Sequence, residues 1–402
     1  MSWELKRLSD CCISIADGDH QAPPKADSGI PFVTISNINT TNQFDFTDTM
    51  FVPQEYYDRL DTKRKAQKGD VLYSVVGSFG VPVYMRETIP FVFQRHIAIL
   101  RPNDTILPQF LYYTMLSRDF YMMADAAALG AAQRTISLTA LRNMKIAVPP
   151  MNVQERIVDI LSSYDDLIAN NQKQIKLLEE AAQRLYKEWF LDMRFPDHET
   201  TPITDGIPEG WAMGKVSDFI PTFSGGTPSR THLEYYSYGT NLWVKTQELR
   251  DGFIFDTEEK ITNDAIKNSS AKVISQGSIL MAMYGATIGK LGIAAKELTC
   301  NQACCVFDLT NIKFATSYLF LWLKGNREFF ISQGKGAAQP NLSQAMIKQF
   351  DIIIPSDKIL KAFAEVTDTI LEKIANLQLQ IVGLTEARDR LLPKLMNGEI
   401  EV

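Results

Sequence analysis

Histidine and cysteine are scarce in this 402-residue chain, at four and five. The cysteines Cys11, Cys12, Cys300, Cys304 and Cys305 form no Cys-x-x-Cys pair, and His20, His96, His198 and His232 are widely scattered. A structural zinc site needs four ligands recurring as close pairs, so no metal is expected and reduced, partly buried thiols are. No apolar run approaches the roughly 18 residues of a membrane span, and the first residues show no charged-then-apolar targeting pattern. The expectation is a cytoplasmic protein with no membrane partner.

Catalytic signatures are missing too. There is no Gly-x-Ser-x-Gly, no His-Glu-x-x-His, no Gly-x-x-x-x-Gly-Lys-Ser/Thr and no Gly-x-Gly-x-x-Gly opening a helix. The Asp/Asn-Pro-Pro-Tyr/Phe tetrapeptide with which an amino-methyltransferase holds an exocyclic amine is lacking, because Pro23-Pro24 and Pro149-Pro150 have other neighbours. Pro196-Asp197 is followed by no Glu-x-Lys at a useful distance, which disfavours a nuclease. A surplus of positive charge is also absent, the formal net charge being -6. Taken over residues 1–150, 151–198, 199–356 and 357–402 the balances are 0, -3, -1 and -2, so the acidity is concentrated in two stretches and the rest is nearly neutral. A locally basic face remains open, although the chain alone should hold polyanions weakly.

What the chain does have is itself, twice. Trp3-Glu4-Leu5-Lys6-Arg7-Leu8-Ser9-Asp10 returns as Trp211-Ala212-Met213-Gly214-Lys215-Val216-Ser217-Asp218, and Lys68-Gly69-Asp70-Val71-Leu72 as Gln276-Gly277-Ser278-Ile279-Leu280, both at an offset of 208. Gln94 matches Gln302 at the same offset, and Gly130-Ala131-Ala132-Gln133 recurs letter for letter as Gly336-Ala337-Ala338-Gln339 at 206. A near-constant offset over so long a stretch marks a tandem duplication of a domain-sized unit rather than a short stacking repeat.

Each copy divides into a mixed segment and a helical tail. Short apolar runs such as Ile30–Ile35, Val71–Val76 and Ile97–Leu100, separated by Gly, Pro, Asn and Asp, predict strands. One helix is expected at Pro108–Leu116, matched by 316–324, and a strand leads into Pro149-Pro150, matched by Ile352–Pro355. Beyond the prolines the period becomes seven: Ile157, Tyr164, Asn171, Leu178 and Leu185, with Leu161, Ile168, Ile175, Ala182 and Trp189. Phe363, Ile370, Leu377, Leu384 and Leu391, with Thr367, Ile374, Ile381, Arg388 and Leu395, repeat the seam 206 residues on. A helix from about residue 153 to 190, about 55 Å long, is too exposed along such a stripe to stand alone, and the other copy is its natural antiparallel partner. Asn171 at a seam position either fixes register or marks a wet seam. Pro393 is expected to end or kink the second helix, and Pro196 the first.

Gly-containing loops follow apolar strands in both copies: Val76-Gly77-Ser78-Phe79-Gly80, Tyr284-Gly285-Ala286-Thr287-Ile288-Gly289-Lys290, and Ser224-Gly225-Gly226-Thr227-Pro228-Ser229-Arg230. They are either hairpin turns or loops whose backbone approaches a phosphate. Close to them lie side chains of the types that read base edges: Gln94, Arg95, His96, Gln133 and Arg134 in the first copy, Asn301, Gln302 and Gln339 in the second. Lys63, Arg64 and Lys65 form the densest basic run, a solvated helix end or a phosphate contact. Candidate DNA contacts are therefore Lys63, Arg64, Ser78, Gln94, Arg95, His96, Gln133, Arg134, Thr227, Arg230, Tyr284, Thr287, Lys290, Asn301, Gln302 and Gln339.

Four stretches together resemble the specificity subunit of type I restriction-modification systems over essentially the whole chain: the Gly-Ala-Ala-Gln blocks with Ile136-Ser137 and Leu342-Ser343; Val148 to Ile157; Leu185-Tyr186-Lys187-Glu188-Trp189-Phe190; and Leu391 to Ile400. The family commonly shows Glu-Gln where this chain has Gln154-Glu155. The resemblance implies an α+β chain: target-recognition domains at 1–150 and 196–356, and spacer helices at 151–195 and 357–402 pairing as an antiparallel coiled coil with pseudo-twofold symmetry. It implies a non-catalytic subunit that reads a bipartite, asymmetric target on double-stranded DNA and docks two methyltransferase (M) subunits and restriction (R) subunits. No cofactor is expected here, since S-adenosylmethionine, ATP and Mg2+ would belong to those partners. The other readings are a scaffold protein using a helical rod for docking, its β-rich units binding peptides or glycans, and an enzyme with an unrecognised site.

Overall fold

A computed structural model describes residues 3–20, 22–39, 41–47, 49–77, 79–130, 134–310, 316–334 and 341–402. The chain divides into two compact units, Met1–Ile168 with Gly383–Val402, and Ala169–Val382. Each unit therefore combines one mixed segment with part of both long helices.

In the first unit a four-stranded antiparallel sheet runs Cys12–Asp17, Ile97–Pro102, Val71–Ser74, Pro82–Tyr84, beside a three-stranded sheet Met50–Val52, Ile30–Val33, Val92–Phe93. All four residues of Val71–Ser74 are buried, which is why this run lacks the polar alternation of a half-exposed strand. In the second unit the larger sheet is Thr222–Ser224, Cys304–Phe307, Ile279–Ala282, Leu291–Ala294, Gly252–Ile254, and the smaller is Lys260–Ile261, Asn241–Val244, Thr299–Cys300. Each smaller sheet contains one parallel pair, Phe32 opposite Val92 and Trp243 opposite Thr299.

The duplicated Trp-containing block opens the strand that joins the ends of each mixed segment. Glu4–Arg7 pairs with Lys145–Val148, and Ala212–Lys215 with Asp351–Ile354. The chain is thus returned to its starting edge before entering a long helix. In the first unit Gln154 is buried there, its Oε1 accepting from Leu107 N (2.8 Å) and its Nε2 donating to Pro149 O (2.9 Å), so the side chain staples the helix to the domain.

The long helices span Met151–Tyr186 and Asp357–Met396. In the first unit Ile157 and Leu161 share a core with Leu392 and Leu395, and Asp165 meets Arg388 at 2.7 Å. In the second, Asn171 donates to Gln380 (3.1 Å), and Tyr186 and Phe190 pack on Phe363. Neither proline ends its helix. Pro393 lies inside the second helix, which continues to Met396 because buried Leu392 and Leu395 anchor its last turn and proline forfeits only one hydrogen bond there. The first helix closes in a π-turn at Lys187–Leu191, where Asp192 N bonds Lys187 O, so it has ended before Pro196.

The mixed segments carry more helix than their sequence suggests. The expected helices appear at Pro108–Leu116 and Thr316–Gly325, and further ones follow at Arg118–Ala127 and Arg327–Ser332. The five thiols are free and buried, and burial pushes Cys12 and Cys305 up to about 12, so they stay protonated at neutral pH. Among the described residues no helix is long and apolar enough to cross a membrane.

Candidate nucleic-acid interface

In the first unit the turn after Val92–Phe93 carries Gln94, Arg95 and His96. Gly18 presses against it so closely that a Cβ would sit 2.2 Å from Phe93 O and 2.4 Å from Gln94 O. Asp19 N bonds Phe93 O and Arg95 N bonds Asp19 O, fixing the turn through its backbone. Arg64, at the end of a 3-10 turn, reaches Asp19 (3.6 Å) and Asp17 (4.0 Å), and His20 bonds Asp17 at 2.9 Å. On the other side Val75 N bonds His96 O, Gly77 N bonds Arg134 O, and Ile136 N bonds Val75 O. His96 consequently lines two clefts, one of about 310 Å3 with Arg95, Thr135 and Ser137, the other of about 540 Å3 with Ser36, Asn39 and Gly77.

The structure thus brings Arg64, Gln94, Arg95, His96 and the Gly77 loop to one edge. Lys63 is exposed beside Arg64. Arg134 is drawn back: its guanidinium pairs with Asp125 (2.6 Å) and lies over Phe79, which stacks on Tyr121. Ser78, Gln133 and Gln339 lie outside the described residues.

The second unit builds the same corner with different side chains. A Cβ on Gly225 would sit 2.2 Å from Cys300 O and 2.5 Å from Asn301 O, as on Gly18 against Phe93 and Gln94. Gly226 N bonds Cys300 O as Asp19 N bonds Phe93 O. These contacts correct the correspondence taken from sequence. Gln94 matches Asn301 rather than Gln302, so Arg95 matches Gln302 and His96 matches Ala303. The hydrogen bonds Ile97 N to Gln94 O and Cys304 N to Asn301 O fix this offset of 207.

Asn301 Oδ1 accepts from Ala303 N (3.1 Å) and so shapes the turn, while Gln302 Oε1 accepts from the Thr227 hydroxyl. Arg230 extends over Tyr236 (4.2 Å) and Trp243 (5.2 Å), with Nη1 on Glu259 at 2.7 Å. Glu259 also holds Lys245 (3.0 Å), and the Arg230 hydrogen bond, outweighing burial, keeps its carboxyl below the usual range. Tyr284 and Thr287 lie on the hairpin between Ile279–Ala282 and Leu291–Ala294, Tyr284 exposed and Thr287 half-buried. Lys290, at the hairpin base, is spent on Asp251 (3.1 Å), which Arg327 also holds.

Several residues on these edges escape a reading by residue type. Asp17, Asp19, Ser36 and Asn39 in the first unit, and Lys245, Tyr236, Trp243 and Glu259 in the second, come from strands, turns and loops outside the glycine runs. The polar run Ser36-Asn37-Ile38-Asn39 and the pair Tyr235-Tyr236 were the available signals.

The two copies are also seen when the chain is compared with known families. The model of the type I restriction modification DNA specificity domain matches residues 2–180 and again 208–382. The chain belongs to this family. Among curated relatives, the type I restriction enzyme MjaIX specificity subunit of Methanocaldococcus jannaschii is 27% identical over 307 residues, 75% of this chain and 71% of that protein. The HindI specificity subunit of Haemophilus influenzae is 24% identical over 444 residues, 92% and 95% of the two chains. The crystal structure of a type I restriction-modification S subunit from M. genitalium shares the fold, with a TM-score of 0.57 at 14% identity, covering 98% of this chain and 96% of that one. This specificity subunit carries two DNA-recognition domains, and its role in a type I restriction-modification system is to select the DNA target rather than to catalyse its modification.

Proposed function

We propose that the two recognition domains read two different half-sites of one bipartite, asymmetric DNA target. The observation that carries this is the matched corner: the glycine approach and turn hydrogen bonds coincide, while Arg95 and His96 in one domain are replaced by Gln302 and Ala303 in the other. A shared frame with different donors and acceptors at matched positions presents a different pattern to the major groove. Lys63, Arg64, Gln94, Arg95 and His96 serve the first half-site, and Thr227, Arg230, Gln302, Tyr284 and Thr287 the second.

The long helices act as the ruler between the half-sites. Asn171 with Gln380, and Tyr186 with Phe363, match rising positions in one helix to falling positions in the other, which supports antiparallel pairing. Such a pair gives each recognition domain a like helical surface beside it for one of two methyltransferase subunits, with restriction subunits joining these, all acting on chromosomal DNA in the cytoplasm. Those partners hold S-adenosylmethionine, ATP and Mg2+, and close around the DNA to supply phosphate affinity that the nearly neutral recognition domains lack. Methylome sequencing of the host with and without this chain tests the proposal. Loss of one bipartite adenine-methylation motif is expected; an unchanged methylome, with partner subunits expressed, overturns it.

A further inference from the structure

We infer that Arg230 reads a guanine in the half-site of the second recognition domain, an assignment that rests on the function proposed above. A guanidinium recognises guanine by donating two parallel hydrogen bonds to O6 and N7, and this discriminates well only if the fork is held before DNA arrives. Arg230 is so held. Its guanidinium lies over the rings of Tyr236 and Trp243 at 4.2 and 5.2 Å, and Glu259 takes Nη1 at 2.7 Å. The same two rings fasten the loop that carries it: Trp243 Nε1 donates to Gly226 O (3.0 Å) and Tyr236 OH to Pro228 O (2.6 Å). Lys245 shares Glu259 and keeps the carboxylate in place (3.0 Å).

The remaining donors, Nε and Nη2, have no partner among the described residues, and the side chain is 55% exposed. They form one edge of the planar group, with the two-donor spacing that O6 and N7 of guanine require. The other basic candidates lack this combination. Lys290 is a single-point donor spent on Asp251, Arg134 is bound to Asp125, and Arg64 stands between Asp17 and Asp19.

The test uses the full chain assembled with its methyltransferase partners and a set of duplexes in which every position of the methylome-defined target is replaced in turn. Arg230→Ala should remove discrimination at one G·C pair of the second half-site, a loss of roughly tenfold to a hundredfold in the cognate-to-substituted ratio, leaving the ratios elsewhere unchanged. Arg230→Lys should fail to restore it, since an ammonium has no fork, and Glu259→Gln should weaken it partially. If Arg230→Ala lowers affinity equally for all duplexes and Arg230→Lys rescues it, the residue is a phosphate contact and the inference is overturned. It is overturned equally if all ratios survive the substitution, or if the second half-site contains no G·C pair. Absence of any bipartite target for the wild-type complex would instead refute the underlying function.

Discussion

Asp165 ties a helix of the first recognition domain to both long helices, and removing it should loosen the domain from them. Its Oδ1 accepts from Arg388 Nη1 (2.7 Å) and its Oδ2 from the Tyr113 hydroxyl (2.7 Å), with only 11% of either charged side chain exposed. Tyr113 belongs to the domain helix Pro108–Leu116, Asp165 to the first long helix and Arg388 to the second, so three elements meet at one group. Burial and the Asp165 charge push the Tyr113 hydroxyl far above its ordinary range, so it remains a donor at any working pH. Asp165→Ala removes two hydrogen bonds to the carboxylate, leaving the buried Tyr113 hydroxyl without its acceptor and the Arg388 guanidinium with Asp389 alone, at a cost of about 3–5 kcal/mol. Tyr113→Phe removes one hydrogen bond to a charged group, about 1.5–3 kcal/mol. Asp165→Leu with Arg388→Met removes both charges and should recover the part of the loss that comes from the charge pair, because a buried pair replaced by apolar groups is often neutral or better, while the Tyr113 hydroxyl stays without its acceptor. At about 2–4 °C per kcal/mol for a unit of this size, Asp165→Ala should lower the melting midpoint of the first unit by roughly 6–20 °C. Scanning calorimetry of the full chain should show that fall in one transition and its partial recovery in the double variant. A double variant at least as unstable as the sum of its singles would refute the reasoning.

Three further outcomes follow from the same structure. Gly225→Ala places a methyl group 2.2 Å from Cys300 O, where backbone must shift; a cost of about 1–3 kcal/mol and lost discrimination confined to the second half-site are expected, read by melting and by methylome sequencing. Burial tends to raise the Asp251 carboxyl, but Arg327, the Leu291 N–H and Lys290 outweigh it and hold it below its ordinary range. With the folded value depressed, its stabilisation is present above about pH 4 and is lost as pH falls through the folded value; Arg327→Ala should therefore move the acid-unfolding midpoint of the second unit upward, as followed by tryptophan fluorescence. Inserting a heptad beside Asn171 separates it from Gln380 while keeping the apolar seam in phase; the methylated motif should gain a longer unread spacer or vanish through failed assembly, and an unchanged spacer would dismiss the helices as the ruler.

Much of the frame was legible because it rests on periodicity. The buried seam residues Ile157, Leu161, Ile168, Phe363, Ile374 and Leu377 stand at spacings that only a helix places on one face. The strands leading into Pro149 and Pro355 followed from their apolar runs, and the matched Trp-containing blocks, legible only as a repeat, supply their partner strands. Pro393 does not end the helix because propensity is a local quantity, and two buried leucines override it.

The interface was legible only by residue type. An Arg or Gln in a loop reads alike whether it is offered to DNA or tied back, and nothing local foretells that Lys290 meets Asp251 or that Arg134 meets Asp125. Gln94 was paired with Gln302 because identical letters attract an alignment, whereas the hydrogen bonds of the turns match it to Asn301. By itself, then, the sequence determined the duplication, the two long helices and the family, since each is a regularity along the chain. Tertiary structure alone decided which polar side chains are spent inside the protein and which stay available, because that depends on partners that folding brings together from distant segments.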